Sequence, residues 1–288
     1  MPATETKKHI QKGVSLTDKS FKTKLASNFR LSVYLNADQL VYAVTDILSR
    51  KLLHLQSYSF FNILNQEEYN NTLKQMIASD EILALAYGKA QIHLLTECFT
   101  LVPEKLFDET SAKELLQFNQ LFVQSINVKC EKIAKTDAMM VYGINKDTAT
   151  ILNSFFKTGV LKHASSIWIE SLLSQNIQGE FLHCYVQPTT MQIAFVKKNQ
   201  LKFFNIYPYK TPEDFIYYLM NAVNHLGLDQ DKTPLQFSGE VIADSAIYKL
   251  AYKYMRNIQF APRPKWIQVS DEMNFAQHFY LNLFCIEA

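Results

Sequence analysis

Side chains capable of acid–base, nucleophilic or metal chemistry occur throughout this chain, but their spacing rarely brings two of them to one place. Seven histidines, from His9 to His278, stand singly, with neither the H-x-x-x-H nor the H-E-x-x-H spacing that puts two metal-ligating imidazoles on one helical face. His183 and Cys184 are neighbours in a strand-like run, so they point to opposite faces and cannot pair as base and nucleophile. Cys98, Cys130, Cys184 and Cys285 lie at least thirty positions apart and read as reduced, buried thiols. No G-x-S-x-G elbow, no G-x-x-x-x-G-K-[ST] loop and no G-x-G-x-x-G turn is present. The acidic pairs Glu67-Glu68 and Glu213-Asp214 open helical patterns, where capping and the helix dipole account for them.

Three short stretches at chain reversals remain. Asn36-Ala37-Asp38-Gln39 carries an aspartate that can attract a metal, although an aspartate in a tight turn commonly serves the turn itself. Gln187-Pro188-Thr189-Thr190 is a second turn, and Ser238-Gly239-Glu240 joins a strand to a helix. Residues 203–218, with Lys202 and Lys210 interleaved, have the composition of a stacking surface for single-stranded nucleic acid, but alternate aromatics are what strands carry in any case. Tyr207, Tyr209, Tyr217 and Tyr218 suit a protein-binding surface equally well.

The elements that must position these stretches follow from hydrophobic period. Residues 180–209 alternate apolar and polar side chains in three runs separated by turn-forming residues, which predicts three antiparallel strands. Residues 30–60 repeat the layout: at an offset of 151, Tyr34 falls on Tyr185, Asn36 on Gln187 and Leu40 on Met191. A second turn two residues shorter then sets Leu52 on Leu201 and Tyr58 on Tyr207. Helices are predicted after Asn65 and after Thr211, each with an N-cap and acidic first turn, and Pro212 occupies the first helical position of the second. Residues 82–87 read as a strand, Ser111 starts a helix carrying Leu115, Phe118, Leu121 and Phe122, and the first part of 274–286 reads as helix. Residues 1–28 are polar and read as a flexible tail; 29–178 and 179–288 form the two halves.

Composition bounds the function. The 288 residues, 48% apolar with 20 Phe and 15 Tyr, are ample for packed cores. A net charge of +2 gives no bulk reason to expect nucleic acid or an anionic membrane as partner. No apolar run is long enough to insert in a membrane and the start lacks a signal-peptide core, so the expected location is the cytoplasm.

A three-strand unit, a helix, and a strand ending in Ser-Gly before another helix, present twice in part, resembles the actin-like fold. That is an α/β architecture with mixed sheets, duplicated and ribonuclease H-like, whose two similar halves face a cleft; actin, sugar kinases and heat-shock chaperones share it. Residues 139–173 resemble the linking segment of the actin-like proteins of type IV pilus assembly. Through residues 31–58, 100–107 and 237–260 the chain is similar to a functionally uncharacterised Bacteroidetes family of about this length. The resemblance implies a cleft lined by Asn36, Asp38, Gln187, Thr189, Thr190, Ser238, Gly239 and Glu240. ATP-using members carry an acid and glycines in the first hairpin of each half, because glycine lets backbone N–H groups turn to the phosphates. Here none of the seven glycines lies in either turn, Pro188 removes a donor, and Glu240 stands where a second glycine would follow Gly239. The implied protein is a non-catalytic, cytoplasmic binding or scaffold module with a protein partner, no nucleic acid, and neither ATP nor Mg²⁺ as cofactor. The alternatives are an ATP-binding protein with an atypical phosphate loop and an RNA-associated accessory protein.

Overall fold

The computed structural model describes residues 9–119 and 125–285. By its contacts the chain divides into two compact units, the first built from residues up to Ile133 with Asp137–Ile167 and Lys265–Asn274, the second from Ala134–Thr136, Trp168–Pro264 and the residues from Phe275 onward.

The first unit holds β1 (Ile10–Thr17), β2 (Phe29–Leu35), β3 (Gln39–Asp46), β4 (Leu52–Phe60), α1 (Gln66–Ser79), β5 (Lys89–Leu94), β6 (Phe99–Pro103), α2 (Ala112–Asn119), β7 (Ile126–Lys132), β8 (Ala138–Asn145), α3 (Lys146–Phe155) and β9 (Val160–His163). Its main sheet runs β1-β4-β3-β2-β5-β9, and β6-β8-β7 form a small separate sheet. Strands β2 to β4 make an antiparallel meander, and β5 and β9 join parallel to it. Nearly every residue of β2 and β3 is buried, the pattern of strands covered on both faces. Against the small sheet, Leu116 of α2 packs with Val102 and Val141.

Helix α4 (Ala164–Ser174) carries the chain into the second unit, which holds β10 (Glu180–Val186), β11 (Thr190–Lys197), β12 (Gln200–Pro208), α5 (Pro212–His225), β13 (Leu235–Gly239), α6 (Ala246–Ala251) and β14 (Ile258–Phe260). Its sheet runs β12-β11-β10-β13-β14. Alternation divides β10 between two layers. Leu182, Cys184 and Val186 enter one core with Phe215 and Leu219 of α5. The opposite face carries His183 and Tyr185, against which Trp168 of α4 stands edge-on at ring distances of 5.2 and 6.1 Å.

The two meanders agree in detail. Leu35 pairs with Leu40 and Val186 with Met191; the last strand of each meander carries Tyr58 opposite Leu40 and Tyr207 opposite Met191. Each has one bulge, between Val44 and Thr45 in β3 and between Phe195 and Val196 in β11, positions that correspond at the offset of 151.

Three expectations change. Residues 10–17, read as part of a flexible tail, are strand β1, antiparallel to β4. Its polar faces are those of an edge strand, and Gly13 lets the strand pass close to Ser57 Oγ, 2.5 Å from where a Cβ would stand. Residues 82–87 are turns rather than a strand, because Asp80 Oδ1 accepts the N–H groups of Ile82 and Leu83 and draws the backbone into an Asx turn. Over 274–285 the chain is turns followed by a 3₁₀ segment, Leu281–Phe284, rather than a helix. Leu121 and Phe122, predicted to extend α2, and the start of the tail, residues 1–8, lie outside the described residues.

Candidate functional site

The turn between β2 and β3 is closed from within. Asn36 is buried, and its Oδ1 accepts the N–H of Asp38 at 2.9 Å and of Gln39 at 2.8 Å, while its own N–H donates to Gln39 O at 3.0 Å. The Asn36 carbonyl takes the Tyr69 hydroxyl from α1 at 2.9 Å, and Asp38 O takes the N–H of Phe60 at 2.6 Å. Asp38 is half-buried, and its charge helps burial to raise the pKa values of Tyr69 and Glu97. Among the described residues no group of three or more His, Cys, Asp or Glu side chains is placed to hold a metal.

The turn between β10 and β11 follows the same plan. Gln187 N–H donates to Thr190 O at 3.0 Å, Thr190 Oγ1 donates to Gln187 Oε1 at 3.2 Å, and Thr189 O accepts the N–H of Tyr209 at 2.8 Å. The Tyr209 hydroxyl donates to Gln187 O, as Tyr69 does to Asn36 O. Pro188 and Thr189 are exposed, and Pro188 has no N–H to offer.

Ser238-Gly239-Glu240 ends β13 beside that turn, since Tyr185 pairs with Ser238 and Val186 with Gly239. Gly239 has φ +85°, and a Cβ there would lie 2.1 Å from Val186 O. The glycine therefore serves both a left-handed backbone and a close approach. Its N–H donates to His278 O at 2.9 Å and that of Glu240 to Val186 O at 2.8 Å. Ser238 Oγ is 2.7 Å from His183 Nε2, both residues being fully buried. Burial drives the His183 pKa down to about 3, which favours the neutral imidazole.

In the first unit the structure sets Asn36 and Asp38 in one turn; in the second it brings Gln187, Thr189 and Thr190 to the strand end that carries Ser238, Gly239 and Glu240. Sequence reasoning missed the tyrosine struts Tyr69 and Tyr209 and the His183–Ser238 contact, which join positions 33, 22 and 55 residues apart. The Asn36 acceptor was readable, because an asparagine opening a turn commonly accepts the backbone N–H two residues on.

A meander extended by two parallel strands, in two units whose strand orders match once the edge strand β1 is set aside, defines a protein of the actin-like ATPase fold. The chain belongs to the DUF3822 family, described as "Protein of unknown function", whose model matches residues 18–258. It is similar to a protein with actin-like ATPase fold and unknown function from Bacteroides thetaiotaomicron VPI-5482, at 19% identity over 92% of this chain and 99% of that one, with a TM-score of 0.75. It is also similar to a chain of the PilM–PilN type IV pilus biogenesis complex, at 10% identity over 89% of this chain and 97% of that one, with a TM-score of 0.61. No curated protein sequence matches it.

Proposed function

We propose that this chain is a non-catalytic actin-like binding or scaffold protein whose phosphate-binding loops have lost their function. The observation that carries the reading is the fate of the backbone donors. Phosphate loops work by leaving N–H groups unpaired and aimed at the ligand. Here the N–H groups of Asp38, Gln39, Gly239 and Glu240 all donate to acceptors of the same unit, and Pro188 contributes none. The matching turns and bulges of the two meanders support an origin by duplication, both hairpins keeping a backbone bond across the turn and a tyrosine hydroxyl on its first carbonyl. The likeness to the PilM–PilN complex supports a protein partner, since the similar chain there is found in an assembly with another protein. Neither ATP nor Mg²⁺ is needed, and the reading sets the protein in the cytoplasm. Among the described residues no helix is long and apolar enough to cross a membrane.

Thermal unfolding with MgATP tests it. A site at a hundred times its dissociation constant would stabilise the fold by about 2.7 kcal/mol, or several degrees in a chain of this size. The expected result is an unchanged transition up to about 1 mM MgATP, and a saturable rise would establish the ATP-binding alternative instead.

A further inference from the structure

In the first unit the loop between β4 and α1 leaves two depressions that share Leu64 and Asn65. One, of about 350 Å³, lies between the turn residues Ala37 and Asp38 and the aromatic side chains of Phe60, Phe61 and Tyr69. The other, of about 430 Å³, runs along the first turns of α1 past Glu67, Glu68 and Gln75, with His9 in its wall. Leu64 is 87% exposed and Phe61 39% exposed, so the groove offers an apolar foothold facing solvent.

Its charge is one-sided. Asp38, Glu67 and Glu68 line it, and among the described residues neither depression has a lysine or arginine in its walls. The cap and wall use part of this charge: Asn65 Oδ1 accepts the Glu68 N–H at 2.9 Å, Glu68 Oε2 accepts the Leu64 N–H at 2.7 Å, and Glu68 Oε1 lies 3.2 Å from His9 Nε2, which leaves Glu67 exposed beside them. A phosphate approaching the 36–39 turn would meet this negative face, whereas a cation would be drawn to it. Depressions of this size take a few side chains each, not an element about 10–12 Å across such as a helix.

We propose that this groove docks a basic, extended segment of a partner protein, an apolar side chain packing on Leu64 and Phe61 while a neighbouring lysine or arginine meets Glu67, Glu68 and Asp38. The proposal rests on the reading of the protein as a binding module. The test is a titration of the full ¹⁵N-labelled chain with the peptide Gly-Ser-Lys-Leu-Lys-Leu-Ser-Gly, followed by amide shifts, beside the same peptide with Glu for Lys. The expected result is saturable shifts confined to Asp38 and residues 61–75, at least ten-fold weaker binding of the Glu peptide, and at least five-fold weaker binding by the Leu64→Ser, Glu67→Lys double variant. The Glu213→Lys variant, which alters an exposed acid in the second unit, should bind as the parent does. Shifts elsewhere, or equal binding of both peptides, would overturn the proposal. Equally, if a chain beginning at His9 bound the Lys peptide ten-fold tighter, the groove would belong to the chain's own Lys7-Lys8 segment. MgATP added to the same sample separates the two readings: shifts in the 36–39 and 187–190 turns on nucleotide alone would sink the closed-loop account and leave the groove standing.

Discussion

Replacing Asn36 by alanine removes the acceptor that closes the first hairpin. Oδ1 holds two N–H groups, those of Asp38 at 2.9 Å and Gln39 at 2.8 Å. Gln39 is only 6% exposed, so its amide would be stranded, at about 1–3 kcal/mol for a buried unsatisfied donor. Asp38 is half-buried and water can reach it, so its loss is nearer the net value of a hydrogen bond, about 0.5–1 kcal/mol. The total is about 1.5–4 kcal/mol, and with a urea slope of about 2–3 kcal/mol/M the unfolding midpoint followed by circular dichroism should fall by about 0.5–2 M. Asn36→Ser keeps a hydroxyl acceptor and should recover part of the loss. Gln187→Ala in the second unit removes the acceptor of a weaker contact, at 3.2 Å, and should cost less than Asn36→Ala. A loss below about 0.5 kcal/mol for Asn36→Ala, within the scatter of ordinary surface substitutions, would refute the claim that Asn36 holds the turn amides.

Four further outcomes are expected. Gly239→Ala meets both an unfavourable φ and the carbonyl of Val186, and should destabilise by about 3 kcal/mol or more in the same urea assay; a change under about 1 kcal/mol would contradict the close approach. Asp18, buried and held well below the usual carboxylate range by Lys51, Ser20 and Ser270, should cost about 3 kcal/mol when changed to alanine. Glu272→Ala at the exposed Lys19 pair should leave the melting temperature unchanged. Burial lowers the pKa of His54 and His163 to about 4 and of His183 to about 3. Because these folded-state values lie below the unfolded value of about 6.5, the unfolded chain binds more protons between them. Stability is then lost as pH falls from about 6.5 towards 4. Urea midpoints measured at pH 7.5, 6 and 5 should decline, with His183→Gln flattening the decline; a flat profile would show that the three imidazoles are not held neutral.

The sequence made the meanders legible because period-two alternation and the offset of 151 act over local stretches, and strand pairing preserves both. It also showed the α5 cap, where Thr211 and Asp214 form a capping box and Pro212 takes the first helical position, as predicted. Strand β1 was illegible for a physical reason: it lies at the sheet edge on β4, so its residues alternate only between exposed and half-exposed, and polar composition looks like a tail. Residues 82–87 are apolar enough for a strand, yet Asp80 commits their backbone to a turn, a side-chain-to-backbone choice that hydrophobic pattern does not register. In the candidate site, the absence of glycine from both turns was visible at once. What holds the turns shut was not, because Tyr69, Tyr209 and His278 reach them from elements distant in sequence.

The central claim is that the N–H groups of Asp38, Gln39, Gly239 and Glu240 are all taken by acceptors of their own unit, and Pro188 has none, so that these positions offer no donor to phosphate. Isothermal titration of the full chain with MgATP tests it most directly. No saturable heat is predicted up to about 1 mM nucleotide, a concentration at which a dissociation constant of about 10 µM would leave the site about 99% filled and the fold stabilised by about 2.7 kcal/mol. Saturable binding that is abolished by Asp38→Asn would contradict the account.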